Sequence, residues 1–386
     1  MSDNKKYSVL QVLPHLNSGG LVSGAIEISM SLINNKFNSY MISAGGRRER
    51  EIVRAGGILF KMNVASKNPI IIFRNIYKII KIIKDYKIDI IHVRSRAPAW
   101  SAYFAAKKMN IPFITTFHGT YGINNRIKKK YNSIMVRGDK VIAISAFINN
   151  HIISNYNVDE DRVETIPRGV DISVFNSQNV SNERLIAFTN KYNIPDNSFV
   201  ILLPGRITRW KGHILLIKAI AELKRENLLC LFVGDSQGRK KYVKELHNLI
   251  NKYKLTSKFK IIGNQIDMST IYKASDIVIS ASTDPEAFGR VIAEAQAMGR
   301  LTIAANQGGA LEIIVDGTTG WLFEANNSSD LAKKIDYASK ISLEDRNIMA
   351  IKSIERIEKY FDSKFMSLRT IKVYKDILSK SVPDEK

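Results

Sequence analysis

The sequence predicts an α/β protein made of two doubly wound domains. Three observations carry that expectation: a length of 386 residues, an apolar fraction of 45%, and two successive series of short apolar segments alternating with helical ones. A chain this long exceeds one ordinary core and divides naturally into two. Continuous apolar strands separated by helices belong to parallel sheets covered on both faces.

The first series places strands at 7–13, 40–44, 58–64, 88–93, 113–117 and 141–144, with helical periodicity at 21–33, 71–85 and 99–109 between them. The alternation restarts with strands at 199–203, 228–234, 259–263, 277–281 and 301–305. A turn-rich stretch, Ile166-Pro-Arg168-Gly-Val-Asp171, lies between the series, so the first domain is expected at 1–180 and the second at 190–360. The tail at 362–380 reads as a helix and is a candidate to pack back on the first domain. In open parallel sheets ligands bind beyond the carboxyl ends of the strands. Two facing domains of this kind would form a cleft from those loops, which makes loop residues the first candidates for chemistry.

Composition narrows the class. No apolar run approaches the roughly 20 residues that span a bilayer. The segment after Lys5 and Lys6 contains Pro14 and His15 and reads as a first buried strand, not a cleaved signal. The single cysteine, Cys230, sits in the apolar run 228–233, which fits a buried strand position and a reducing, cytoplasmic compartment. The net charge is +22, and residues 1–190 hold 27 Lys and Arg against 13 Asp and Glu. Such a balance attracts nucleic acid, anionic membrane or phosphorylated ligands without choosing among them. The chain is also rich in Ile, Lys and Asn, and genome composition alone accounts for part of the lysine.

Four loops carry the candidate chemistry. After the first strand comes a loop ending in Gly19 and Gly20 before a helix, where backbone N–H groups can approach a phosphate. A tight structural turn uses the same glycines. The G-x-G-x-x-G spacing is absent, which argues against a dehydrogenase. His118, followed by Gly119, ends the fifth strand and either caps it or contacts a sugar or acceptor. The loop 203–212 carries Gly205, Arg206, Trp210, Lys211 and Gly212 toward the next helix. A planar guanidinium and a mobile ammonium both suit a diphosphate. The fourth loop is the most informative: Glu286, Phe288 and Gly289 precede a helix that contains Glu294 in its second turn. A helix N-terminus there can hold a diphosphate, and the two carboxylates can accept hydroxyl hydrogen bonds in one pocket. Ala293 and Ala295 on either side of Glu294 point to a half-buried position.

Two other features compete. Asp159-Glu-Asp161 matches a D-x-D metal pattern but precedes a short strand among charged residues, and reads as a solvated turn. No other cluster suggests a metal, so none is expected. Arg74, Lys78, Lys81 and Lys84 share a face of one helical segment, and Arg126 with Lys128, Lys129 and Lys130 forms a second basic cluster. Both read either as ordinary solvated lysines or as contacts to an anionic membrane.

Taken together, the stretches from Gly19-Gly20 to 317–323 resemble family 4 of the retaining glycosyltransferases. The most specific pieces are Glu286 and Glu294 with seven residues between them, the Gly205-Arg206…Lys211-Gly212 loop, and Gly308-Gly309…Glu312…Asp316-Gly317. The resemblance implies the GT-B fold: two Rossmann-like domains facing across a cleft, acting on a nucleoside diphosphate sugar without a bound metal or other cofactor. It implies that Arg206 and Lys211 bind the donor diphosphate with backbone N–H from Gly289. Gly19, Gly20, Gly205 and Phe288 also fall on its donor side. Glu294 then holds the ribose, Glu286 the donor sugar, and His118 stands near sugar and acceptor, with His118, Arg206, Lys211 and Glu286 as the catalytic set. Many members have Asn where this chain has Arg168. The wording of the second domain is similar to bacterial lipopolysaccharide-core mannosyltransferases, which implies hexose transfer, mannose first, to a glycan or glycolipid in cell-envelope synthesis, and a cytoplasmic protein peripheral to the inner face of the membrane. The alternatives are a nucleotide-sugar epimerase or phosphorylase on a similar scaffold, or a nucleic-acid-binding protein. Net charge alone favours the last, and no binding module supports it.

Overall fold

The computed structural model describes residues 6–17, 19–122, 125–223 and 225–381. Thirteen strands lie in the described residues: β1 Ser8–Val12, β2 Asn38–Ser43, β3 Ile58–Lys61, β4 Ile90–Val93, β5 Phe113–Phe117, β6 Lys140–Ala143, β7 Val163–Thr165, β8 Phe199–Pro204, β9 Leu228–Val233, β10 Phe259–Ile262, β11 Ile277–Ser280, β12 Leu301–Ala305 and β13 Trp321–Phe323. They form two sheets, ordered β3-β2-β1-β4-β5-β6-β7 and β10-β9-β8-β11-β12-β13. The strand pairings in both are parallel. The two domains are therefore Rossmann-like α/β units, each with its own sheet.

Burial explains the apolar runs. All residues of β1, β8 and β9 are buried, because helices cover both faces of a parallel sheet. The helices take the complementary pattern. Pro69–Asp85 starts from Asn68, whose side chain accepts from the N–H of Ile70, with proline in the first turn. It buries Ile79, Ile80 and Ile83.

The first unit comprises Met1–Gly169 and Ser363–Lys386, and the second Val170–Asp362. The division thus falls at Gly169, earlier than the 180–190 expected from the turn-rich stretch. Residues after it belong to the second unit because they pack there. Ser269 Oγ donates to the carbonyl of Val174 and Lys273 Nζ to that of Val180, each at 2.7 Å. Phe175 meets Tyr272 edge-on at 5.9 Å. The helix Ser363–Ser381 lies in the first unit, where Ile371, Tyr374 and Leu378 join Val9, Ile28, Ile90 and Ile114 in one core. Tyr374 also reaches the buried His92, oxygen to Nδ1 at 2.5 Å.

Candidate functional site

In the second sheet β8 sends the chain to β9 and β10 on one side, while its other neighbour, β11, leads to β12 and β13. The order reverses between β8 and β11, and the loops beyond such a switch point part to leave a crevice. The loop after β8 carries Gly205, Arg206 and Lys211, and the loop after β11 carries Glu286, Phe288 and Gly289.

Glycines dock the first of these loops onto the second. Gly212 has φ +74°, and a Cβ there would stand 1.7 Å from the carbonyl oxygen of Ala281. No other residue fits without moving the backbone. The N–H of Thr283 donates to the carbonyl of Trp210 at 2.7 Å. Lys211, buried between them, donates from Nζ to Glu286 Oε1 at 2.8 Å and lies 4.5 Å from the centre of the Trp210 ring. The exposed Arg206 has its guanidinium carbon 5.9 Å from the same ring. An indole face attracts cations, so Trp210 gathers both of them.

Glu286 is held just as firmly. Besides Lys211, Ser280 and Ser282 donate to its Oε1 at 2.8 and 2.5 Å. Burial pushes its carboxyl up, but the Lys211 ammonium and the hydrogen bonds from Lys211, Ser282 and Ser280 outweigh that and hold it below the ordinary value of 4.5. It is a carboxylate at neutral pH. The loop after β12 closes from the other side: the N–H of Gly309 donates to the carbonyl of Glu286 at 2.8 Å. A Cβ on Gly309 would stand 2.5 Å from Cα of Phe288.

Gly289, at φ 96°, is the N-cap of the helix Arg290–Ala297 and supplies no side-chain cap. No acidic residue occupies the first turn, so the positive end of the helix is not offset locally. The ring of Phe288 is buried against Phe361 at 5.8 Å, which leaves its backbone at the loop. Glu294 is 7% exposed, deeper than the half-buried position expected of it. Tyr272 donates to its Oε2 at 2.8 Å and Arg290 Nε to its Oε1 at 2.5 Å. The two glutamates thus have separate sets of partners.

The first unit carries the remaining candidates. Gly19, at φ +103°, caps the helix Gly20–Asn34, whose first turn also lacks acidic residues. His118 follows β5 and lies 3.3 Å, Nδ1 to Nη1, from Arg168. Burial, with Arg168, Arg94 and His92 near it, pushes its ring well below the ordinary value of 6.5. It is neutral at pH 7.

Spacing singles out Lys211, Glu286 and Gly289, and the structure joins Lys211 to Glu286 beyond the carboxyl ends of β8 and β11, with Gly289 in the same loop as Glu286. The sequence pattern singles out neither Ser280, Ser282, Tyr272 and Arg290 nor the part that Trp210 plays beside the two cations. Asp159 caps the short turn Glu160–Arg162 that leads into β7, at the end of the strand opposite the carboxyl-end loops. Among the described residues no three His, Cys, Asp or Glu side chains group as metal ligands do.

Residues 186–356 match the family described as Glycosyl transferases group 1, and residues 18–174 the one described as Glycosyltransferase Family 4. A glycosyltransferase of Rickettsia africae has a crystal structure that superposes with a TM-score of 0.91 at 42% identity, over 98% of this chain and 100% of that one. The Anabaena protein HepE, solved with UDP and glucose, superposes with a TM-score of 0.85 at 21% identity, over 96% of this chain and 100% of its own. D-inositol 3-phosphate glycosyltransferase of Xylanimonas cellulosilytica is 25% identical over 255 residues, which are 62% of this chain and 60% of that relative.

Proposed function

The chain belongs to the group 1, family 4 glycosyltransferases and has their GT-B type of domains, and from that premise we propose that it moves a hexose from a nucleoside diphosphate sugar to a hydroxyl of a glycan or glycolipid. The observation that carries this reading is the largely buried Lys211–Glu286 pair, set beside the helix at Gly289, which has no side-chain cap, with Arg206 one loop turn away.

That arrangement suits a glycosyl diphosphate. As the bond from the anomeric carbon to the phosphate oxygen breaks, its electron pair goes to the diphosphate and positive charge grows on the ring. Arg206, Lys211 and the helix end stabilise the first change. An ammonium has three N–H donors, and one of Lys211's is committed to Glu286, which aims the charge. The Glu286 carboxylate, with its donors converging on Oε1, is placed to accept a sugar hydroxyl at Oε2. Glu294, fixed by Tyr272 and Arg290, holds the nucleotide ribose, and His118 contacts sugar or acceptor. The acceptor oxygen bonds the anomeric carbon, and its proton leaves on the departing phosphate. We assign retention of configuration and no metal to this step.

GDP-mannose is the donor of first choice, and cell-envelope polysaccharide or lipopolysaccharide core the setting. UDP-glucose stands second, since HepE was solved with UDP and glucose. The site of action is the inner face of the cytoplasmic membrane, with peripheral attachment through the helix Pro69–Asp85. No helix among the described residues is long and apolar enough to cross a membrane.

A thermal-shift screen of the full chain tests the reading. A donor at a hundred times its Kd stabilises the folded state by about 2.7 kcal/mol, a rise of roughly 5–10 °C for a unit of this size. A rise with one nucleoside diphosphate sugar, and none with the free hexose, is expected. No rise with any nucleoside diphosphate sugar would contradict it.

A further inference from the structure

Arg168 stands in the loop after β7. Its backbone N–H donates to the carbonyl of Ile144 at 3.1 Å, and its side chain is 7% exposed. The guanidinium reaches the first turn of the helix Gly20–Asn34, where Nη2 donates to the carbonyl of Gly20. That helix is cut back to admit it. A Cβ on Gly20 would lie 3.2 Å from the guanidinium carbon, and one on Gly24 would lie 2.9 Å from Nη2. The other terminal nitrogen, Nη1, is the one beside His118 Nδ1.

A guanidinium has N–H donors and no acceptor. The ring nitrogen that faces it must accept, so the proton of a neutral His118 belongs on Nε2. That nitrogen is shielded from solvent and meets no hydrogen-bond partner among the described residues. We infer that Arg168 is a positioning residue: it locks His118 in the neutral Nε2–H tautomer, so that at Nε2 the histidine carries a hydrogen-bond donor and not a base. The link to sugar or acceptor rests on the function proposed above, whereas the tautomer does not.

The surroundings act the same way. The groups that bear on His118 are Arg168 from the β7 loop, Arg94 from the end of β4 and His92 within β4, and none is acidic. His92 is itself engaged on both ring nitrogens, by Tyr374 at 2.5 Å and Thr116 at 2.6 Å. Arg94 donates from Nε to Gln11 at 2.9 Å. An asparagine at position 168, the residue that the family resemblance leads one to expect, carries both a donor and an acceptor and cannot impose one tautomer.

The test is nuclear magnetic resonance of the full chain with histidine labelled in its ring nitrogens, the His118 signals assigned from their loss in His118→Asn. The wild-type ring should show a protonated Nε2 and a bare Nδ1, unchanged from about pH 8 to about pH 5.5. Arg168→Lys, whose ammonium also only donates, should keep that tautomer. Arg168→Gln should give a mixed tautomer and an ionisation at least about one pH unit higher. A proton on Nδ1 in the wild type, titration near 6.5, or an unchanged ring in folded Arg168→Gln each overturns the inference. The wild-type spectrum decides even where a variant fails to fold. Because no donor or acceptor is added, failure here leaves the glycosyl-transfer reading standing, and failure of that reading leaves the tautomer.

Discussion

At Glu286 two effects of opposite sign meet, and the ion pair wins: burial opposes the charge, and Lys211, Ser282 and Ser280 more than restore it. At His213 burial wins. The ring is fully buried, and desolvation, with the neighbouring Lys211 adding to it, lowers its pKa from 6.5 to about 4. His92 and His118 are pushed in the same direction, each by burial first. An unfolded histidine takes up a proton near 6.5 while these stay neutral, so their contribution is complete above that pH and is lost as the pH falls through the window below it. For His213 alone the loss reaches up to about 3 kcal/mol near pH 4. The melting temperature should therefore drop steadily between about pH 7 and about pH 5, and replacing His213 by Leu should flatten the profile. A melting temperature constant over that range would refute the neutral assignments. Residues of this kind divide by how far apart in sequence their partners lie. Lys211 and Gly289 are legible because loop chemistry marks them. Tyr272 is not, because it stands 22 positions before Glu294 and only the sheet brings them together.

At the scale of elements, the helix Pro69–Asp85 keeps apolar side chains in water. Ile70, Phe73 and Tyr77 are 69%, 58% and 53% exposed, whereas its Ile79, Ile80 and Ile83 are buried. Arg74, Lys78 and Lys81 lie among them, and Lys81 pairs with Asp85 at 3.1 Å. Apolar side chains beside cations suit an anionic lipid surface, where each basic residue contributes about 1 kcal/mol. The full chain should sediment with vesicles containing phosphatidylglycerol, and Phe73→Ser with Lys78→Glu should abolish most of that binding. Equal sedimentation with purely zwitterionic vesicles would contradict the electrostatic part, and none with either the proposal itself. The apolar strands were legible because both faces are covered, which leaves an uninterrupted run. β13 was not: three residues, Trp321–Phe323, are too short for a periodic signal, and their place is set by pairing with β12. Several strand ends are overdrawn by one to three residues where apolar side chains continue into buried loops, as at Leu13 and Val64.

For the whole molecule, the alternation of strands and helices foretold two Rossmann-like units, but not where the chain passes between them. Gly and Pro at 166–171 marked a turn, and hydrogen bonds that no local pattern reveals assign 170–180 to the second unit. The pyrophosphate of the proposed donor is expected to bind at the carboxyl ends of β8 and β11, held by Arg206 with Lys211 and the helix at Gly289. Calorimetric titration of GDP and UDP into the full chain, Arg206→Ala and Arg209→Ala tests it most directly. Arg209 is the right control, since it shares the loop but its guanidinium pairs with Glu245 at 2.8 and 2.5 Å. Arg206→Ala should weaken the preferred nucleotide at least about tenfold, near 1.4 kcal/mol, while Arg209→Ala leaves it unchanged; equal Kd values for all three proteins would overturn this assignment.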